Sequence, residues 1–134
     1  MIPTLLLDTH ILIHWMLDSP ALTRDQSRAL RKADAQGIPF GVSAITLVEL
    51  AQLVNARKVR SNFELESALN FLEDHAKFIV LPIDSAVVRE LPRCLPILRD
   101  PMDSIIAATA QVHNLALVTS DQRILDSKLV RTIE

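Results

Sequence analysis

The 134-residue chain holds two glycines, one cysteine, one tryptophan and no tyrosine. Each shortage removes a class of function. Gly37 and Gly41 are the only glycines, so neither the nucleotide nor the dinucleotide type of glycine-rich phosphate loop can be built. Cys94 has no partner for an internal disulfide, and nothing in the chain asks for an oxidising compartment. With aromatics at 4%, no stacking platform for bases is visible and the core must come from Leu, Ile, Val and Ala. No apolar run approaches the roughly 20 residues that span a bilayer. Met1-Ile2-Pro3-Thr4 does not open with the basic n-region of a signal peptide. The expectation is a soluble, cytoplasmic protein with no membrane partner.

What is present fits one globular domain spanning residues 1–134. Hydrophobic residues make up 49% and charged residues 22%, an ordinary composition for a folded chain. The formal charge of −2 looks wrong for a nucleic-acid partner. If four of the 16 acids belong to a metal site, however, 14 cations face the 12 that remain.

Short apolar runs alternate with helical patterns. Leu5-Leu6-Leu7, Ile38–Val42, Phe78–Leu81, Leu115–Val118 and Leu129–Ile133 read as strands, the first buried on both faces. Between them lie a helix over Ile11–Leu17, one capped by Thr23 and ended by Gly37, and one opened by Ser43 and running to Asn55. An amphipathic stretch covers Asn62–Ala76, with Phe63, Leu65, Leu69 and Leu72 near one stripe. Asp84 caps a helix expected to fade near Pro92 and Pro96. Asp100-Pro101 starts a strong one reaching Asn114, and a short one covers Gln122–Leu125. This alternation predicts an α/β fold with a mostly parallel sheet covered on both faces.

Five acids stand out, and each has an innocent explanation. Asp8, Asp100 and Asp121 precede helices and can cap them. Glu49 can close a Thr46-x-x-Glu49 capping box, and Asp103 sits where a helix dipole favours an anion. Their joint placement says more. In a parallel α/β sheet ligands bind beyond the carboxyl ends of the strands. Asp8 ends the first strand, Asp121 follows the fourth, and Glu49 and Asp103 lie early in connecting helices. Clustered carboxylates repel unless a cation lies between them, and all-oxygen donors suit Mg²⁺ or Mn²⁺. Such ions activate water and stabilise phosphoryl transfer.

The motifs around these acids are similar to those of one family. Leu6-Leu7-Asp8-Thr9-His10-Ile11-Leu12 resembles the opening strand and turn of PIN-domain toxins. Ser43–Ala51, Arg99–Ala110 and Leu117–Asp121 resemble their second, third and fourth acidic motifs, in order and at matching spacing. The resemblance covers essentially the whole chain and points to the VapC-like toxin of a type II toxin–antitoxin pair. It implies a PIN-like three-layer sandwich with five strands in the order 3-2-1-4-5. It also implies a metal-dependent endoribonuclease using Mg²⁺ or Mn²⁺, held as a homodimer and blocked by a cognate antitoxin. Asp8, Glu49, Asp103 and Asp121 would be the metal-site acids, with Asp8 and Asp103 the firmest ligands. Thr9 and Ser120, beside those acids, would hydrogen-bond ligands or substrate. Leu98 and Met102 depart from the His and Phe that often flank the third motif, and no acid is lost. Asp100 is favoured as a cap over a ligand.

Other residues read more plainly. His10 and His14 are one helical turn apart, but no Cys or further His stands at ligand spacing, so packing and local hydrogen bonds are their expected role. His75 and His113 lie near helix ends. Arg24, Arg28, Arg31 and Lys32 are expected to form a solvated face, whereas Arg57, Lys58 and Arg60, clustered just after the Glu49 helix, are candidates for RNA backbone contact. An aspartyl phosphatase lacks support because His10 stands where a second Asp is wanted. A receiver domain lacks its late lysine, Lys128 being poorly placed. The serious rival is a non-catalytic PIN-fold module that binds RNA or protein, and the presence of all four acids argues against it.

Overall fold

The computed structural model describes residues 1–59 and 62–134. Its strands are β1 (Leu5–Leu7), β2 (Phe40–Ser43), β3 (Phe78–Leu81), β4 (Ala116–Val118) and β5 (Thr132–Ile133). Its helices are α1 (Thr9–Met16), α2 (Arg24–Ala35), α3 (Ala44–Asn55), α4 (Leu65–Leu72), α5 (Ser85–Leu98), α6 (Pro101–Val112) and α7 (Gln122–Ser127). The sheet order is β3-β2-β1-β4-β5, and every pairing is parallel. Both expectations hold, and the sheet is wholly rather than mostly parallel.

Alternation along the strands divides the apolar residues between two cores. Leu5 and Leu7 of β1 and Val118 of β4 join Ile11, Leu12, Leu30, Phe40, Leu50 and Phe78 on one side. Leu6 and Leu117 pack against Val87, Cys94, Ile106 and Ile124 on the other. Helices α1 to α4 cover the first face and α5 to α7 the second, which gives the three layers. Gly41 lies where β2 passes β1 closely: a Cβ there would meet the Leu5 carbonyl oxygen at 3.2 Å. Among the described residues no helix is long and apolar enough to cross a membrane.

Three expectations about elements need correction. Helix α5 does not fade at its prolines but runs through Pro92 and Pro96 to Leu98. Both prolines are exposed and share one face, so the carbonyls they leave without an N–H partner turn to water. The buried stripe of Val87, Cys94 and Leu98 anchors the opposite face. The amphipathic stretch yields only the eight residues of α4, although Phe63 ahead of it is buried in the core. Strand β5 is two residues long, because Leu129 is buried in the second core before the chain reaches the sheet edge.

Candidate active site

Strand β1 lies between β2 and β4, so the sheet reverses its order of addition there and leaves a crevice at the strands' carboxyl ends. The β1–β4 register pairs Leu7 with Val118, which sets Asp8 beside Thr119. The Asp8 amide donates to the Val118 carbonyl at 3.1 Å, and the Thr119 hydroxyl donates to Asp8 Oδ2 at 2.6 Å. Asp8 stands at the N-cap position of α1, yet its side chain makes no cap hydrogen bond. The simple capping reading of Asp8 therefore fails.

Glu49 comes from the second turn of α3, and it too does not cap. That helix is capped by Ser43, whose hydroxyl accepts from the Ile45 amide. Thr46 is buried within the helix instead, with its Oγ1 3.0 Å from Thr9 Oγ1. The Thr9 hydroxyl donates to Glu49 Oε1 at 2.6 Å, tying α3 to the start of α1. Thr9 thus holds the Glu49 carboxylate.

On the opposite side, Arg99 takes a positive φ of 66° and the Asp100 amide donates to the Leu98 carbonyl at 2.7 Å. This tight γ-turn is a strained conformation for a residue with a side chain, and it turns the chain from α5 into α6. Asp100 then caps α6, accepting from the amides of Met102 and Asp103 at 2.8 and 3.2 Å. Asp103 sits in the first turn of α6 with its side chain only 13% exposed. Burial, followed by the charges of Asp100, Asp121 and Asp8, pushes its carboxyl up to about 6 from the usual 3.8. Asp121 caps α7, accepting from the Arg123 amide at 2.9 Å.

Asp8, Glu49, Asp100, Asp103 and Asp121 all line one cleft of ≈ 440 Å³. Arg123 lies among them, its Nη2 2.9 Å from Asp103 Oδ2 and 3.4 Å from Asp121 Oδ2. The donors are carboxylate oxygens with hydroxyls behind them, the set preferred by hard divalent ions. Burial is the larger cause of the raised Asp103 pKa, and the like charges that add to it are what a cation relieves. The residues thus fit such an ion in donor type and in charge. Among the described residues no three His, Cys, Asp or Glu side chains already close around one point. Each acid already has a partner: Asp103 and Asp121 face Arg123, Asp8 accepts from Thr119, and Glu49 accepts from Thr9.

The remaining predicted positions divide. Ser120 lines the cleft, but its hydroxyl accepts from Gln26 Nε2 at 2.9 Å rather than meeting an acid. The threonine one residue earlier meets an acid: Thr119 is buried, donates to Asp8 and accepts from the Asp121 amide at 3.1 Å. Gln26, buried in α2, braces this turn by also donating to the Thr119 carbonyl at 3.3 Å. Arg57 is exposed just past α3, with φ 56°, and does not line the cleft. Lys58 lines the cavity next to it. Arg60 lies outside the described residues. His10 and His14, expected only to pack, stand on the cleft wall. Arg123, Thr119 and Gln26 were missed by sequence reasoning. A signal existed for Arg123, a cation two residues past Asp121, and for Thr119, which follows the strand; Gln26 gave none beyond its capping box.

A family model for the PIN domain matches residues 5–128. Ribonuclease VapC22 of Mycobacterium tuberculosis (strain ATCC 25618 / H37Rv) is 31% identical over 131 residues, which are 97% of this chain and 96% of the relative. Among solved structures, VapBC2 from Rickettsia felis bound to a DNA fragment from its promoter contains a similar chain, with a TM-score of 0.70 at 18% identity, covering 98% of this chain and 97% of that one. FitAcB from Neisseria gonorrhoeae gives a TM-score of 0.67 at 25% identity, covering 97% and 96%. With the family model and a curated relative each spanning nearly all of its length, the chain belongs to the PIN-domain family.

Proposed function

We propose that this protein is a metal-dependent endoribonuclease, the toxin of a toxin–antitoxin pair, working as one domain over residues 1–134. The observation that carries the reading is the meeting of Asp8, Glu49, Asp103 and Asp121, from four separate segments, in one cleft. The 31% identity to ribonuclease VapC22 supports RNA as substrate. The likeness to chains of VapBC complexes supports a cognate antitoxin that covers the acidic cleft. A homodimer in the cytoplasm completes the reading.

Asp8 and Asp103 would hold Mg²⁺ or Mn²⁺ as principal ligands, with Asp121 supporting the site. When bound, the ion supplies Lewis-acid polarisation of the phosphate and a more acidic water. Glu49, held by the Thr9 hydroxyl, orients the attacking water and takes up its proton. Water then displaces the leaving oxygen in line: one P–O bond forms as the other breaks, with no covalent enzyme intermediate. Thr119 fixes the Asp8 carboxylate, and Arg123 balances the acids in the absence of an ion.

A second reading has one observation in its favour: Arg123 already neutralises part of the cluster, as a non-catalytic binding module would need. One experiment separates the two. Purified, partner-free protein is incubated with a mixed RNA pool and Mg²⁺ or Mn²⁺, beside Asp8→Asn and Asp103→Asn. Metal-dependent cutting by the native chain that disappears in both variants is the expected result. RNA or partner binding without any cutting would leave only the binding module standing.

A further inference from the structure

Beside the acidic cleft lies a second cavity of ≈ 330 Å³, and the two share His10 and His14 as a common wall. We propose that this cavity is a nucleobase subsite, seating the unstacked base of a nucleotide next to the phosphodiester held at Asp8 and Asp103. It rests on the RNA-cutting reading above.

The two cavities differ in kind. The cleft is lined by five carboxylates, whereas its neighbour is lined mainly by apolar side chains, Ile13, Leu17, Pro20 and Val59, with Ser19 and Lys58 among them. Apolar walls with a few polar edges suit a flat base, and the lysine answers the phosphate that follows it. Geometry supplies the track between them. Asp8 precedes α1, and His10 and His14 follow on one face of that helix, about 6 Å apart along its axis. A strand leaving the acids along α1 meets His10 first, and the cavity opens beside it. His14 has the chemistry for a base rather than a phosphate. Burial, then the neighbouring His10, lowers its pKa from the usual 6.5. A neutral imidazole offers one donor nitrogen, one acceptor nitrogen and a face on which a base can stack. The chain is poor in Phe, Tyr and Trp, so an imidazole pair is what it offers for this purpose. Only single-stranded RNA presents a base free to enter.

The test uses the full chain carrying Asp8→Asn, so that RNA is bound and not cut. Fluorescence anisotropy compares two labelled ten-nucleotide single strands, one of mixed RNA sequence and one with the same backbone bearing abasic spacers. The mixed strand should bind the Asp8→Asn chain more tightly than the abasic one. Adding His14→Ala should weaken the mixed strand about fivefold or more, the loss of roughly one stacked base, and leave the abasic strand unchanged. Adding Lys58→Ala should weaken both. His14→Phe, which keeps a stacking face, should restore part of the loss and serves as the control for an intact wall. If His14→Ala weakens both strands alike, or neither, the subsite is refuted. It is equally refuted if the substitution loosens a co-expressed antitoxin while RNA binding stays the same, because the cavity then belongs to a protein partner. Metal-dependent cutting by the native chain is scored separately, so loss of the subsite and loss of the nuclease reading are told apart.

Discussion

Asp103→Asn should make the metal-free protein more stable while removing its cutting activity. The Asp103 side chain is 13% exposed, and burial with its acidic neighbours raises its carboxyl from 3.8 to about 6. At about 1.4 kcal/mol per pH unit of displacement, ionising Asp103 in the folded state costs roughly 3 kcal/mol. The favourable charge of Arg123 is already inside that figure. An asparagine amide in the same place also costs something to bury, about 1 kcal/mol, which leaves a net gain of roughly 1–2 kcal/mol. The sign follows from where each state ionises. The unfolded chain loses this proton near pH 3.8 and the folded chain near 6. The penalty is therefore absent below about pH 4, grows between 4 and 6, and is complete above that. Urea unfolding in EDTA at pH 4 and pH 8 reads the effect directly. The variant should fall about 1 kcal/mol below the native chain at pH 4, where only the cost of burying the amide is left, and exceed it at pH 8, where the gain corresponds to a rise of several degrees in Tm. With Mn²⁺ in excess the order should reverse, since an ion bound only by the folded native site stabilises it by mass action. A variant no more stable than the native chain at pH 8 in EDTA would refute the electrostatic reasoning, because the carboxylate would then be comfortable where it lies.

Thr119→Val should remove the hydrogen bond to Asp8 and the one accepted from the Asp121 amide, costing about 1–3 kcal/mol of stability and roughly tenfold or more in Mn²⁺ affinity. Thr119→Ser, which keeps the hydroxyl, should restore most of both; calorimetric titration and urea unfolding check this. Arg123→Ala should bind Mn²⁺ several-fold more tightly than the native chain, because it frees Asp103 and Asp121 from a competing cation. Unchanged or weaker binding by calorimetry would mean that Arg123 supports the acids rather than competing for them.

Much of the fold was legible in the chain itself. Leu5-Leu6-Leu7 is too short and too apolar for anything but a buried strand, and its alternation sends Leu6 to one core and its neighbours to the other. Thr23, Ser43, Asp84 and Asp100 cap helices as their types predict. Local rules failed where tertiary packing outweighed them. A proline normally ends a helix, but the apolar stripe of α5 holds the helix to its neighbours while Pro92 and Pro96 face water. The hydroxyl that reaches Asp8 is that of Thr119 rather than Ser120, because strand register, not chain adjacency, decides which one faces it.

The sequence by itself determined the alternation of strands and helices and put forward the four acids as candidates, since each of these depends on side-chain type and spacing along a few turns of chain. Only the tertiary structure decided how those acids are held. Asp8 and Thr119 are 111 positions apart in the chain, and Arg123 and Asp103 are 20 apart. No periodicity connects such pairs. Parallel strand pairing and the packing of α3 and α6 bring them to one cleft, and there burial first and the neighbouring charges second, rather than order in the chain, set Asp103's proton affinity.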